Sequence, residues 1–391
     1  MQVDRFESSP IGKLVPISGT DVRLGQTYEH FAFVPDPLPA TVDLTQRTYK
    51  LLSEADRAVG GLNAKAQLLP NPSLLVRPAL TKEAVATSAL EGTFAPLSDV
   101  LEAEYVSEGK RSAEVREIQN YVRAAHRGIE LAKTLPICLN LIAQLQEILV
   151  HRTRGDSNDA GRLRERQVCI GNEGAGIEDS RYVPPPPGST LTTGVDDWEK
   201  WVNAEDDLPL LVKAALAHYQ FEALHPFSDG NGRLGRLIVT LQLMEAGVLD
   251  YPILNLSPWL EPRRTAYIDR LLEVSATGDF DPWISFFAQA VKARALAATS
   301  AIQQLLEVST EFQSTVRQDG AKGRVIDLAG DLIGFPVLDV ADAAKLLGVT
   351  YPAANSAVHR LVRLGILREV TGGTYGRIFR CERVYQILAE A

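Results

Sequence analysis

Apolar residues recur at helical spacing along most of the chain and at strand spacing in only a few short stretches. From Thr41, the positions Leu44, Tyr49, Leu51 and Leu52, continuing through Ala55 and Ala58, predict a helix that stops at Gly60-Gly61. A second helix is expected at about 81–92. Thr81 is a good N-cap, Glu83 lies in the first turn, and Ala84, Val85, Ala86, Ala89 and Leu90 lead to Glu91, with Gly92 placed to end it. Ile118, Tyr121 and Val122, then Leu139, Ile142, Leu145, Ile148 and Leu149, mark the core faces of helices between Asp99 and Val150. Leu208 to Glu222 is apolar, with Asp206 and Asp207 before it and Pro209 in its first turn, which is how a buried helix begins. Arg233 to Ala246 is apolar nearly all round and closes at Gly247. Further helices are expected from Arg263 to Val274 and from Phe280 to about Arg317.

The period changes in three places. Met1 to about Pro39 reads as an irregular arm or a small strand pair. Arg166 to Ile170 and Ser180 to Val183 are β-type segments flanking Gly171-Asn-Glu-Gly-Ala-Gly176, the pattern of a hairpin with a flexible tip, and Pro184 to Pro187 stiffen its exit. Beyond Gly320, a helix from Leu338 to Leu347, a turn at Gly348-Val-Thr350 and a second helix from Pro352 to Leu364 precede strands at Ile366–Val370 and Arg377–Arg380. This block resembles a winged helix-turn-helix. Arg360, Arg363, Arg368, Arg377, Arg380 and Arg383, against Glu369 and Glu382, make it locally basic, as duplex DNA binding needs; docking of protein or a second copy is the equal alternative. The fold class expected is mainly α.

A chain of 391 residues with 45% hydrophobic composition has room for two or three domains with their own cores. No apolar run has the length of a membrane span, and the N-terminus lacks a signal-peptide core, so a cytoplasmic protein is expected. Cys138, Cys169 and Cys381 have no metal-ligand spacing and are expected as reduced thiols. The net charge of -9 argues against a chain that coats nucleic acid nonspecifically and leaves a local basic face open.

The richest chemistry lies in His225-Pro-Phe-Ser-Asp-Gly-Asn-Gly-Arg-Leu-Gly-Arg236. His225 and Pro226 end the preceding helix. Asp229, Gly230, Asn231 and Gly232 can take positive φ and expose successive N–H groups, with Asn231 as N-cap of the next helix. A helix start of this kind attracts phosphate, and Arg233 and Arg236 share its face. A histidine, the residue type that exchanges protons near neutrality, a carboxylate able to hold a hard cation, and two guanidinium groups together suggest phosphoryl or nucleotidyl transfer, with His225 as base and Mg²⁺ on Asp229. The run resembles the signature of the Fic family, His-Pro-Phe-x-Asp-Gly-Asn-Gly-Arg-x-x-Arg, at every specified position.

That resemblance implies a Fic helical core with a β-hairpin flap, and a protein adenylyltransferase. ATP phosphates would lie over Gly230, Asn231 and Gly232, with Arg233 on the β-phosphate, Arg236 on the γ-phosphate and Tyr267 near the adenine. AMP would pass to Ser, Thr or Tyr hydroxyls of target proteins, the chain itself included. Thr87-Ser-Ala-Leu-Glu91-Gly92 resembles the family's inhibitory helix, which implies that Glu91 pairs with Arg236. The hairpin is similar to the flap that docks targets by strand pairing, here through Val168, Cys169, Ile170 and Tyr182. The implied organisation is an N-terminal region at 1–110, a catalytic domain at 111–300 and a winged domain at 320–391, with a homodimer plausible on family precedent. Removal of AMP by means of Glu91, and a DNA-binding regulator whose Fic domain senses nucleotide, stand as alternatives.

Overall fold

A computed structural model describes residues 1–21, 24–69, 71–171, 176–372 and 376–390. Strands β1 (Gly12–Asp21) and β2 (Gln26–Pro35) pair antiparallel along their whole length, from Gly12 opposite Pro35 to Asp21 opposite Gln26, so the N-terminal arm is the strand pair of the two expected forms. Helices α1 (Gln46–Gln67), α2 (Val76–Leu90), α3 (Leu97–Glu102), α4 (Ala113–Leu131) and α5 (Leu139–Val150) follow. After the flap segment come α6 (Ser189–Val202), α7 (Leu210–Leu224), α8 (Asn231–Glu245), α9 (Ser257–Leu260), α10 (Arg264–Thr277) and α11 (Asp281–Gln318). The chain closes with α12 (Arg324–Asp331), β3 (Val337–Asp339), α13 (Val340–Leu347), α14 (Tyr351–Arg363), β4 (Arg368–Glu369), β5 (Ile378–Arg380) and α15 (Glu382–Glu390).

Several expected boundaries move. Helix α1 runs through Gly60 and Gly61 to Gln67, because its apolar stripe continues at Leu62 and Ala66, both fully buried. Helix α2 begins at Val76, five residues before Thr81, behind a 3₁₀ turn at Pro72–Leu75. Thr81 is therefore an interior residue whose hydroxyl donates to the Arg77 carbonyl (2.9 Å), the local alternative a threonine takes inside a helix. The segment expected as one helix from Leu338 splits: Val337–Asp339 form a strand, and Asp339 accepts from the Asp342 amide (2.7 Å) to cap α13. Among the described residues the flap hairpin shows one antiparallel bridge, Ile170 with Tyr182, and the part of its expected tip at 172–175 lies outside the described residues.

The chain divides into two compact units that interleave in sequence. One comprises Met1–Asp56, Asn120–Val248 and Trp259–Lys292; the other comprises Arg57–Gln119, Leu249–Pro258 and the residues from Ala293 onward. In the first, α7 is the central helix. Its residues Leu211, Val212, Ala214, Ala215, Leu216, Ala217 and Tyr219 are all buried, which an all-round apolar helix requires. Two indole N–H groups reach its backbone: Trp198 donates to the Ala217 carbonyl (2.9 Å) and Trp283 to that of Ala215 (2.8 Å). Phe6, Phe33 and Tyr182 form an aromatic group with ring centroids 5.5–6.1 Å apart, joining β2 to the end of the flap, where the Phe33 amide donates to the Val183 carbonyl (2.9 Å).

In the second unit, β3, β5 and β4 form a three-stranded antiparallel sheet in that order, next to α12, α13, α14 and α15. The part of the loop between β4 and β5 at 373–375 lies outside the described residues. Leu101 of α3 shares a core with Val337 and Ile378, and the Tyr105 hydroxyl donates to Asp342 (2.7 Å) and the Val337 carbonyl (3.1 Å). Lys82 of α2 donates to the last carbonyls of α15, Leu388 (2.7 Å) and Ala389 (3.2 Å), a favourable place for a cation. Burial pushes this lysine down to about 8. Arg77, Glu83 and the Ala79 carbonyl tie the same helix to Glu104, to Ser257 and to Asn255.

Removal of the Trp198 side chain empties a large volume beside α7 and leaves the Ala217 carbonyl without its indole partner. Trp198→Ala is expected to cost about 3–5 kcal/mol, measured as a lowered midpoint in urea unfolding.

Candidate active site

Helix α7 ends abruptly. His225 takes φ 49° and ψ 61°, the left-handed region, while its amide still donates to the Phe221 carbonyl (3.0 Å). Among the described residues only Arg152 and His225 are non-glycine residues at positive φ, a conformation that costs about 1–2 kcal/mol for an L-residue. The reversal brings the next five residues across to α8. Phe227 drops into the core, fully buried, and Asn231 holds it there: its side-chain oxygen accepts from the Phe227 amide (2.9 Å) and its nitrogen donates to the Phe227 carbonyl (2.8 Å). Asn231 is thus the first residue of α8 and a brace for the loop, where capping of the helix amides was expected. Gly230 is the N-cap, at φ 87°, and a Cβ there would come within 2.8 Å of Leu149.

The carboxylate of Asp229 is oriented from two sides. Its Oδ1 accepts from the Gly230 amide (2.6 Å) and from Arg233 Nη2 (3.2 Å). Arg233 and Arg236 are buried, on the face that opens α8. Two neighbouring segments, unforeseen in the sequence reading, support this loop. Gln146 of α5 donates to the Asp229 carbonyl (3.1 Å) while accepting from the Gly161 amide (2.6 Å), and Ser228 donates to Asp159 (2.5 Å). At Gly155 the backbone passes so close that a Cβ would lie 1.9 Å from Oδ2 of Asp229. Only a glycine fits this approach, and no local sequence signal marks it.

The cleft in front of His225 has a volume of about 720 Å³. Thr20, Asp21 and Tyr28 from the β1–β2 hairpin line one side, with Gln167, Val168 and Cys169 of the flap and Ser228 of the loop. Val168 and Cys169 therefore line the same space as His225. Tyr182 does not: it is 3% exposed, and its hydroxyl donates to the Ala223 carbonyl (3.1 Å), so it is part of the core. Ile170 occupies the bridge, its amide donating to the Tyr182 carbonyl (2.8 Å).

Tyr267, expected near the adenine, is also buried, at 5% exposure, and its hydroxyl lies 2.7 Å from Nε2 of His218. Its place is in a stack with His218 and Trp283 beneath α8. Burial holds His218 down at about 4, with Arg236 acting in the same direction and a backbone contact to Gly235 opposing it. His218 is therefore neutral at pH 7, and its 3.9 Å approach to Glu222 is no ion pair. In the other unit, Glu91 follows α2 as its C-cap, and Thr87 is fully buried. The six arginines expected to form a basic face each have a carboxylate in reach: Arg360 and Arg363 meet Asp319, Arg368 meets Glu382, Arg377 meets Glu369, Arg380 meets Glu102 and Glu382, and Arg383 meets Glu311.

Comparison with known proteins agrees with this geometry. Residues 136–243 match the family model described as Fic/DOC family, and residues 49–130 match Fic/DOC family N-terminal. Both stretches belong to the Fic/DOC family. Among curated Fic relatives, the protein adenylyltransferase Fic of Drosophila grimshawi is 31% identical over 235 residues, 57% of this chain and 43% of that one. That of Drosophila persimilis is 28% identical over 257 residues, 62% and 46% of the respective chains. The chain thus spans less than half the length of these relatives. A Fic family protein from Desulfovibrio desulfuricans G20 superposes with a TM-score of 0.56 at 20% identity, covering 88% of this chain and 98% of that one. Fic-1 of C. elegans (aa134 - 508) superposes with a TM-score of 0.51 at 24% identity, covering 65% and 74%. These two Fic structures establish the fold, a mainly α Fic core. No helix among the described residues is long and apolar enough to cross a membrane.

Two outcomes follow from the packing around this Fic loop. Gly155→Ala is expected to destabilise the protein by about 1–3 kcal/mol, and by much less in an Asp229→Ala background, because the clash is with that carboxylate; a double-mutant cycle in urea measures the coupling. Because His218 binds its proton less readily folded than unfolded, stability is lost as pH falls from 6.5 towards 4. The loss attributable to it is roughly 2 kcal/mol by pH 5, and unfolding curves at pH 7 and pH 5 should show a smaller decline for His218→Gln than for the parent.

Proposed function

We propose that this protein is an adenylyltransferase that moves AMP from ATP to a hydroxyl of a Ser, Thr or Tyr side chain on a protein, and that Glu91 inhibits it by pairing with Arg236. The observation that carries the reading is the left-handed turn at His225, which sets an imidazole at the mouth of a cleft and the amide end of α8 a few residues further on. His225 takes the proton of the attacking hydroxyl. The hydroxyl oxygen bonds to the α-phosphorus as the bond to the β-phosphate oxygen breaks, pyrophosphate leaves, and the target carries AMP as a phosphodiester. The amides of Asn231, Gly232 and Arg233 at the start of α8, together with the helix dipole, stabilise negative charge on the transferring phosphoryl group. Arg233 holds the β-phosphate and Arg236 the γ-phosphate. Their burial strengthens both interactions, since few waters compete there.

The donor set around Asp229 fits Mg²⁺. A single half-exposed carboxylate, already oriented by Gly230 and Arg233, is what this cation uses when substrate phosphates and water supply its other ligands. When bound, the ion would neutralise phosphate charge. The cleft suits an extended target segment running along the flap past Val168 and Cys169. The pairing of the C-terminal arginines with nearby acids favours docking over duplex DNA for that region, because neutralised side chains release few counterions on binding.

The test is intact-mass spectrometry of Glu91→Gly protein, alone and with candidate target proteins, in Mg²⁺ and an equal mixture of ATP, GTP, CTP and UTP. Addition of AMP is expected with Glu91→Gly, much less with the parent, and 10²- to 10⁴-fold more slowly with Glu91→Gly/His225→Ala. Labelling that persists without His225 would sink the mechanism, and equal labelling by the parent would sink the inhibition.

A further inference from the structure

Arg164 is among the most deeply buried large side chains of the protein, at 1% exposure, and among the described residues no carboxylate pairs with it. Its partners are carbonyl oxygens. Nε donates to His225 (2.8 Å), Nη2 to Pro185 (2.5 Å) and, at longer range, to Leu224 (3.4 Å), and Nη1 to Arg166 (3.2 Å). Its own backbone amide donates to Pro226 (3.0 Å). One residue thus engages three successive carbonyls, Leu224, His225 and Pro226, at the point where the chain turns left-handed. Its other two partners, Arg166 and Pro185, are the residues at which the flap leaves and rejoins the body of the unit.

The chemistry of this arrangement is unusual for an arginine. Removing a guanidinium from water without an acid partner is costly, and burial pulls Arg164 down to about 10. The compensation comes from dipoles: Leu224 closes α7, whose carbonyl end carries partial negative charge, and a fixed planar fork can address several oxygens at once. A lysine would keep the charge and reach fewer of these oxygens. An apolar residue would leave buried carbonyls without donors.

We propose that Arg164 is a positioning residue that holds His225 in its left-handed conformation and ties the base of the flap to the same point, so that the imidazole and the strand that presents the target hydroxyl keep a fixed relation. Its side chain does not line the cleft in front of His225. Its part in the transfer rests on the adenylyltransferase reading; its hold on the His225 backbone does not.

Two measurements separate these. The first needs no activity: thermal unfolding of Arg164→Lys with His225 present and in a His225→Gly background, where the left-handed conformation carries no steric cost. The loss is expected to be larger with His225 present, by roughly 2–4 °C. A variant that folds only in the His225→Gly background would be the extreme of the same result. An equal loss in both backgrounds, including failure to fold in both, overturns the proposal. The second is steady-state transfer by Glu91→Gly and Glu91→Gly/Arg164→Lys protein. A fall in kcat of about 10-fold or more is expected with the KM for ATP changed less than about threefold, since misplacing a catalytic group costs rate while nucleotide contacts persist. An unchanged kcat, or kcat and binding capacity falling together with the folded fraction, overturns the positioning role. If the parent pair transfers nothing at all, the adenylyltransferase reading fails, and the unfolding result still decides whether Arg164 holds His225.

Discussion

A buried helix that must stop within one residue is the constraint from which the rest of the first unit follows. Helix α7 is surrounded by side chains along its length, so its last carbonyls end inside the protein and need donors there. Placing a left-handed histidine at that point turns the chain sharply enough for Phe227 to enter the core and for α8 to begin a few residues later. A glycine would make the same turn more cheaply, but it has no imidazole to present. On the proposed mechanism the conformation and the chemistry are required of one residue, and the surroundings stabilise what the backbone alone disfavours.

The surroundings do this with polar contacts placed in layers. Asn231 uses both ends of its amide on Phe227, Gln146 links the Asp229 carbonyl to Gly161, and Ser228 meets Asp159. Beneath α8, His218 stays neutral against Tyr267 and Trp283. This neutrality keeps an extra positive charge away from Arg236, whose guanidinium already disfavours protonation of the imidazole. Most of these groups are held by contacts within the protein itself, and groups held in this way can stabilise charge without reorganisation.

Much of this was legible in the sequence, for identifiable reasons. Strong amphipathic or all-apolar periodicity placed α5, α7, α8 and the long α11 within a few residues, and the loop from His225 to Arg236 was readable because so many of its residue types are fixed by turn geometry and charge. Boundaries failed where tertiary burial overrides local signals. Gly60 and Gly61 continue α1 because Leu62 and Ala66 are needed inside, and Thr81 lies within α2 although its chemistry suits a cap. Tyr182 and Tyr267 were expected to face ligands from their position along the chain, yet both hydroxyls find partners in the core. Gly155 and Arg164 could not be seen at all, since one matters only by how closely another segment passes it and the other only by which carbonyls converge on it.

The second unit bears on how such a protein can be rebuilt. Helix α2 gives its lysine to the end of α15, and α3 shares a core with β3 and β5, so residues far apart in sequence form one packed surface. Exchanging the C-terminal block alone for that of a relative would break this surface on both sides. The smallest interchangeable piece is discontinuous: the block must travel with the helix that ends at Glu91, and lineages that vary one should vary the other in step.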